Sequence, residues 1–162
     1  MLRLTARRAA EIEPFEVMDV LARAHALEAA GRRVVHMEIG EPDFTAPAPV
    51  VEAGVQALRD GLTAYTATLG LPRLREAIAG HYASKFSAQV EPARIAVTSG
   101  ASGGLLTVAA LYVDAGDEIL VPDPGYPGYR HFVRAFEGVA RTLPVSVAGH
   151  FQPTLEMVRA AW

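Results

Sequence analysis

The stretch IAVTSGASGGLLTVAALYVDAGDEILVPDPGYPGYRHFVRAFEGVARTLPV, residues 95–145, decides the fold class of this chain. Short apolar runs typical of buried strands alternate in it with segments whose apolar residues recur at helical spacing. Joints rich in glycine, proline and aspartate separate these segments. Such alternation favours a parallel sheet covered by helices and joined by right-handed crossovers. The predicted strands cover residues 95–98, 119–121 and 139–145, and the predicted helices cover residues 105–112 and 129–136.

Patterns in the first half of the chain are mostly helical. Apolar residues at helical spacing predict a helix over residues 15–30. Prolines near the start and a glycine at the end predict a second helix over residues 47–61, and Pro72 opens a third. One short apolar run, residues 34–39, is predicted as a further strand.

The end of the sequence also carries information about the domain. A last helical pattern opens at Pro153 and continues for about three turns to Trp162, with no capping residue after it. The strands predicted in residues 95–145 make a small sheet, since about five or six strands are typical. Both features predict an α/β domain that is truncated at its C-terminal end.

The composition is that of a globular protein, with 51% hydrophobic and 20% charged residues. The net charge of −3 gives no reason to expect nucleic acid or an anionic membrane as a partner. No apolar run approaches the length of a membrane span. The chain has no cysteine, and its arginine-bearing N-terminus lacks the apolar segment of a secretory signal. We therefore expect a cytoplasmic protein.

The joint TSGASGG, residues 98–104, lies between a predicted strand and a predicted helix. A helix N-terminus offers backbone N–H groups and a partial positive charge, and small residues let an anion approach them. Ser102 adds a hydroxyl donor, so the joint suits a phosphate monoester. Its spacing matches neither the P-loop nor the dinucleotide fingerprint G-x-G-x-x-G. The alternative interpretation is a plain tight turn.

A second candidate is DPGYPGY, residues 123–129, directly after a predicted strand. Ligands of open α/β sheets bind beyond the carboxyl ends of the strands, where this loop and the glycine-rich joint both emerge. The prolines stiffen the loop, so the ring of Tyr126 could be held as a stacking surface for a planar heterocycle. The alternative is a rigid turn whose tyrosines pack on the fold.

Two further candidates lie in the first half of the chain. Gly40, in the turn GEPDF of residues 40–44, would let a ligand approach the backbone closely. Tyr65 lies in a loop that also contains Gly70, and its phenol could donate a hydrogen bond to an anion. Taken alone, the turn at Gly40 is more often an ordinary turn than a site.

Five strings of the sequence together carry a family resemblance. They are EPFEVMDVLARA (residues 13–24), GEPDF (40–44), AYTATLGLPRLREAIA (64–79), VTSGAS (97–102) and AGDEILVPDPGYPGY (115–129). In this order and spacing they resemble the class I/II aminotransferases, which use pyridoxal phosphate. The resemblance implies a three-layer α/β sandwich with a mostly parallel sheet, the large domain of pyridoxal-phosphate-dependent transferases, here truncated. It divides the chain into an N-terminal arm with a small-domain segment, residues 1–45, and a partial cofactor-binding domain, residues 46–162.

The resemblance also implies roles for particular residues. The backbone of Gly100 and Ala101 and the hydroxyl of Ser102 would hold the phosphate of pyridoxal phosphate. Tyr126 would stack on the pyridine ring of the cofactor. Tyr65 would reach across a homodimer to the phosphate bound by the partner subunit.

The reaction implied by the resemblance is transfer of an amino group between an amino acid and a 2-oxo acid. Gly40 would lie beside the bound amino acid. The family's lysine, which forms a Schiff base with the cofactor, lies after the glycine-rich joint, whereas the only lysine here, Lys85, lies before it. We therefore expect Lys85 on a helix surface, assign no catalytic residue, and expect the chain alone to be inactive.

The sequence leaves two other functions open. One alternative is a non-catalytic truncated product that keeps only part of the fold. Another is a nucleotide-dependent oxidoreductase in which Asp123 would bind a ribose, against which stands the missing G-x-G-x-x-G. No metal site is predicted, because the histidines show no metal-ligand spacing: His25, His36, His81, His131 and His150.

Overall fold

The computed structural model of the chain describes residues 4–162, which form two compact units. One unit combines the residues up to Glu38 with Gly100–Trp162, and the other is Ile39–Ser99. No helix in the described residues is long and apolar enough to cross a bilayer. The helices are α1 (Glu16–Ala29), α2 (Ala48–Arg59), α3 (Pro72–Phe86), α4 (Gly100–Tyr112), α5 (Gly128–Ala135) and α6 (Leu155–Ala161), and the strands are β1 (Glu118–Asp123) and β2 (Val139–Pro144).

The two strands of the first unit run parallel and pair in a continuous register. Glu118 lies opposite Val139, and the pairing continues to Asp123 opposite Pro144. Parallel neighbours cannot be joined by a tight turn, so the chain crosses over between them through α5, which packs against both strands. The predicted α/β class with a parallel sheet is confirmed.

The core of the first unit lies where α4, α5 and the two strands meet. Gly138 sits at the tightest approach: a Cβ atom there would lie 2.5 Å from Cγ1 of Val113 and 2.9 Å from Cγ1 of Val133. Real Cβ atoms do not come this close to a neighbour, so the backbone before β2 requires glycine. The buried apolar side chains of the described residues are Ala24, Ala109, Val121, Val133, Leu143 and Val145.

The predicted helices are confirmed, although one of them begins earlier than predicted. Two of the predicted strands are wrong. Helix α4 already begins at Gly100, so part of the predicted glycine-rich turn is the first turn of the helix. Residues 34–39 and 95–98 form no strand. A strand requires a hydrogen-bonded neighbour, and the N–H of Val97 donates instead to the loop carbonyl of Leu69, at 3.1 Å. The division at residue 45 stays a prediction.

Helix α1 ends in a tight turn, after which the chain runs back beside the helix. Gly31 has a φ of +83°, its N–H donates to the carbonyl of Glu28, and the next N–H donates to the carbonyl of Leu27. This pair of hydrogen bonds is the Schellman motif, and its glycine is the helix stop that the sequence predicts. After the turn, His36 Nδ1 lies 2.7 Å from Glu38 Oε1. This hydrogen bond, followed by one to Glu28, raises the pKa of His36, and the same bond lowers the pKa of Glu38.

The described chain buries little of its apolar material. None of its large side chains is fully buried, and the accessible surface is 13350 Å². An apolar groove of about 440 Å³ lies between α4, β1 and α5, lined by Leu105, Val108 and Phe132 among others. Exposed apolar surface of this extent favours association with further polypeptide.

We predict that the isolated chain associates with itself at micromolar concentration and binds a hydrophobic dye such as ANS, measured by sedimentation and fluorescence. Leu111 is 71% exposed at the end of α4. Leu111→Glu should reduce association, because it replaces apolar surface with a charge. Gln152→Glu, which adds the same charge at an exposed position that is already polar, should leave association unchanged. A monomeric chain that binds no dye would contradict the prediction.

Candidate functional site

The glycine-rich joint supplies the first part of the site. Helix α4 starts at Gly100, whose φ of +68° lies in the left-handed region that favours glycine. The N–H groups in the first turn of any helix have no acceptor within the helix, and that end carries the positive pole of its dipole. Ala101 and Ser102 lie in this turn and are exposed. The start of α4 therefore offers a place that attracts an anion.

The second part of the site is the loop that follows β1. It contains a cis peptide bond between Asp123 and Pro124. A Cβ atom at Gly125 would collide with the carbonyl oxygen of Pro122. A Cβ atom at Gly128 would lie 2.5 Å from the ring of Tyr126. The two glycines therefore let the loop fold tightly and let the tyrosine ring lie directly against the backbone at the start of α5.

The structure brings the two parts together. The hydroxyl of Tyr126 lies 3.5 Å from Oγ of Ser102, at the outer limit of a hydrogen bond, although the two residues are 24 positions apart. Tyr126 keeps 42% of its surface exposed. Two hydroxyl groups and the positive end of a helix thus converge on one place that is open to solvent.

The ring of Tyr126 is oriented by two aromatic neighbours that sequence reasoning missed. Its centroid lies 6.2 Å from that of Phe15 and 5.3 Å from that of Tyr129, both in edge-to-face geometry. Such pairs contribute about 0.5–1.5 kcal/mol beyond the area they bury. The recurrence of tyrosine at residues 126 and 129 was a usable signal, whereas nothing local linked Phe15 to this loop.

Phe15 is held near this loop because the N-terminal segment is tied to α5. Glu13 pairs with Arg130 at 2.9 Å, and Glu11 pairs with Arg134. Each exposed pair contributes about 0–1 kcal/mol. The N-terminal segment therefore contributes to the site by holding Phe15 in position.

Gly40 and Tyr65 belong to the other unit, Ile39–Ser99. Both are exposed, and the Tyr65 side chain lies fully in solvent. The loop of Tyr65 ends at Gly70, where a Cβ atom would lie 2.7 Å from Cγ2 of Val97. Close backbone approach therefore fixes this end of the loop against residues 95–97, the segment that was predicted as a strand.

Lys85 lies on the surface in the last turn of α3, as predicted. Its Nζ lies 5.7 Å from the ring centroid of Phe86, where a cation and an aromatic face attract each other. The side chain is therefore engaged on its own helix.

The residues at the start of α4 and in the loop after β1 fit a phosphorylated planar ligand. The small side chains of Gly100 and Ala101 leave room for phosphate oxygens, and the Ser102 hydroxyl can donate to them. The Tyr126 ring offers an apolar surface next to that place. These are the requirements of pyridoxal phosphate, which combines a phosphate monoester with a flat heterocycle.

The chain is similar in sequence to known proteins of one family. Residues 32–162 match the sequence profile described as "Aminotransferase class I and II". The chain is 44% identical to the (5-formylfuran-3-yl)methyl phosphate transaminase of Methanocaldococcus jannaschii over 131 residues, 81% of this chain and 35% of that protein. It is 36% identical to the valine–pyruvate aminotransferase of Mycobacterium tuberculosis over 149 residues, 92% of this chain and 38% of that protein.

Solved structures show the same similarity in three dimensions. The chain superposes on the aspartate aminotransferase of Thermus thermophilus with maleate with a TM-score of 0.93, at 34% identity. The match covers 99% of this chain and 42% of that one. The chain therefore spans well under half the length of the proteins it resembles.

We predict that Ser102→Ala weakens binding of pyridoxamine phosphate to the chain by about tenfold, because a hydrogen bond to a charged group contributes about 1.5 kcal/mol or more. This ligand lacks an aldehyde, so its fluorescence reports non-covalent binding. Ser84→Ala is the matched control, since the Ser84 hydroxyl bonds to a carbonyl of its own helix. Unphosphorylated pyridoxamine should not distinguish the variants. Equal binding of pyridoxamine phosphate by the Ser102→Ala variant and the unaltered chain would remove Ser102 from the site.

Proposed function

Because the chain belongs to the class I and II aminotransferase family, we propose that it is the cofactor-holding portion of an enzyme that transfers an amino group between an amino acid and a 2-oxo acid. The observation that carries this proposal is the approach of Ser102 and Tyr126 at the start of α4, at 3.5 Å. Two residues expected from separate motifs to hold one cofactor thus lie side by side. Pyridoxal phosphate, when bound, supplies the carbonyl carbon that accepts the amino group and a ring that withdraws electrons.

The residues of this portion are proposed to bind the cofactor or to orient it. Backbone N–H groups at Gly100 and Ala101 and the hydroxyl of Ser102 would hold the phosphate, where the helix dipole favours negative charge. The ring of Tyr126, which Phe15 and Tyr129 contact edge-on, would offer a stacking surface to the ring of the cofactor.

The residues of the second unit complete the proposal. Tyr65 serves the phosphate site of a partner subunit in a homodimer of the whole protein, which accounts for a tyrosine lying fully in solvent here. Gly40 lies beside the amino acid substrate, where a side chain would obstruct it. An isologous dimer would then use each of these contacts twice. A cytoplasmic location stays a prediction.

The chain alone is proposed to be inactive. Amino-group transfer in this family requires a lysine amine at the carbonyl carbon of the cofactor, and correct placement contributes several powers of ten in rate. Lys85 is exposed on α3 and contacts Phe86. Both this proposal and the non-catalytic alternative expect the isolated chain to be inactive. Only this proposal expects the whole protein to transfer an amino group. Family membership argues against the oxidoreductase alternative.

We predict that the isolated chain, mixed with pyridoxal phosphate and reduced with borohydride, gains no stoichiometric adduct by mass spectrometry and turns over no amino acid. Lys85→Arg removes the only lysine of the chain and should give the same result, because Lys85 is expected to take no part in the reaction. A stoichiometric adduct that Lys85→Arg abolishes, together with turnover, would show that Lys85 is catalytic.

In the whole protein, we predict transfer of an amino group to a 2-oxo acid that depends on added pyridoxal phosphate. Tyr126→Ala should raise the cofactor concentration needed for half-maximal activity about tenfold, since it removes the stacking surface and the hydroxyl. Tyr126→Phe, which keeps the ring, should raise that concentration far less. Absence of any amino-group transfer by the whole protein would contradict the proposed function.

A further inference from the structure

The return of the chain after α1 places His36 beside the last turns of that helix. His25 and Glu28 are three residues apart on α1 and therefore share one face. Nε2 of His36 lies 3.1 Å from Oε1 of Glu28, and the rings of His25 and His36 are 5.6 Å apart between centroids. One ligand atom from each of the three side chains lies within 4.8 Å of the others. Two imidazoles and one carboxylate thus converge.

A fourth residue, Glu38, fixes the orientation of the His36 ring by bonding to its Nδ1 atom. Its Nδ1 lies 2.7 Å from Oε1 of Glu38, so Nδ1 carries a proton and donates it to the carboxylate. The other oxygen of Glu38 accepts the N–H of Met37 at 2.9 Å, and only 11% of the Glu38 side chain is exposed. Nε2 is therefore the ring nitrogen that faces Glu28. A carboxylate behind a histidine is the usual outer partner of a metal-binding imidazole.

We propose that His25, Glu28 and His36 bind a divalent transition-metal cation, with Zn²⁺ as the best-matched ion. Zn²⁺ takes imidazole nitrogen and carboxylate oxygen at about 2.0–2.1 Å, so neighbouring ligands of a tetrahedral site lie about 3.3 Å apart. Nε2 of His36 and Oε1 of Glu28 lie 3.1 Å apart, which is close to this ligand–ligand distance. All three ligand atoms lie within 4.8 Å of one another, so binding requires the remaining separations to shorten by at most about 1.5 Å.

The donor set selects the class of ion. Imidazole ligands suit Zn²⁺, Ni²⁺ and Cu²⁺, whereas Mg²⁺ and Ca²⁺ prefer ligands that are all oxygen. The side chains of His36 and Glu28 are 36% and 41% exposed, so a fourth position is open to water or to another ligand. None of these residues belongs to the proposed phosphate site. The metal site and the proposed function therefore stand or fall separately.

The test is equilibrium dialysis of the untagged, metal-free chain against Zn²⁺, with bound metal measured per chain. We expect one Zn²⁺ per chain and no comparable binding of Mg²⁺. His25→Gln and His36→Gln should each weaken Zn²⁺ binding at least tenfold, and His81→Gln, on α3, should leave it unchanged. Because His25 and His36 are exposed, these variants should keep the helix content of the unaltered chain by circular dichroism.

Glu38→Gln provides a second readout, because it removes no metal ligand. Loss of an outer carboxylate costs about 10- to 100-fold in metal affinity. Full Zn²⁺ binding by the variant that carries both His25→Gln and His36→Gln would overturn the proposal. Equal affinity for Mg²⁺ and Zn²⁺, or no Zn²⁺ bound by the unaltered chain, would also overturn it and leave His36 as the centre of an ion pair with two carboxylates.

Discussion

The parallel pairing of β1 with β2 is the constraint on which the rest of the first unit depends. Parallel strands force a crossover, and here the crossover is α5, which must fit between the loop after β1 and the glycine before β2. The loop leaves β1 at its carboxyl end, where ligands of α/β sheets bind. Tyr126 lies in this loop and Gly138 closes the crossover, so strand pairing, helix packing and the candidate site are consequences of one arrangement.

Close backbone approach recurs where this arrangement is tightest. Gly125 and Gly128 allow the loop to turn and the tyrosine ring to lie on the backbone, and Gly138 lets α5 pack beside Val113. At each place a methyl group would occupy space already filled, and a packed interior absorbs such overlap only at a cost of about 1–3 kcal/mol. The aromatic contact from Phe15 then adds orientation to a ring whose position the glycines allow.

The small core sets the physical character of the described chain. Few of its apolar side chains are buried. The energy of burial available to offset chain entropy is correspondingly small. The structural relatives are more than twice as long as the segment that matches this chain. The apolar groove between α4, β1 and α5 is a surface of this unit that contact with further polypeptide would cover.

Sequence alone determined the features that depend on neighbouring residues. Helix positions, the stop at Gly31 and the α/β class follow from local periodicity and capping. The roles expected of Ser102 and Tyr126 follow from the family resemblance that the five motifs carry. Tertiary structure decided the features that depend on distant partners. Residues 34–39 and 95–98 form no strand because a strand exists only through a paired neighbour. Likewise, the support of Tyr126 by Phe15 and the meeting of His25 with His36 arise only when the folded chain brings separate segments together.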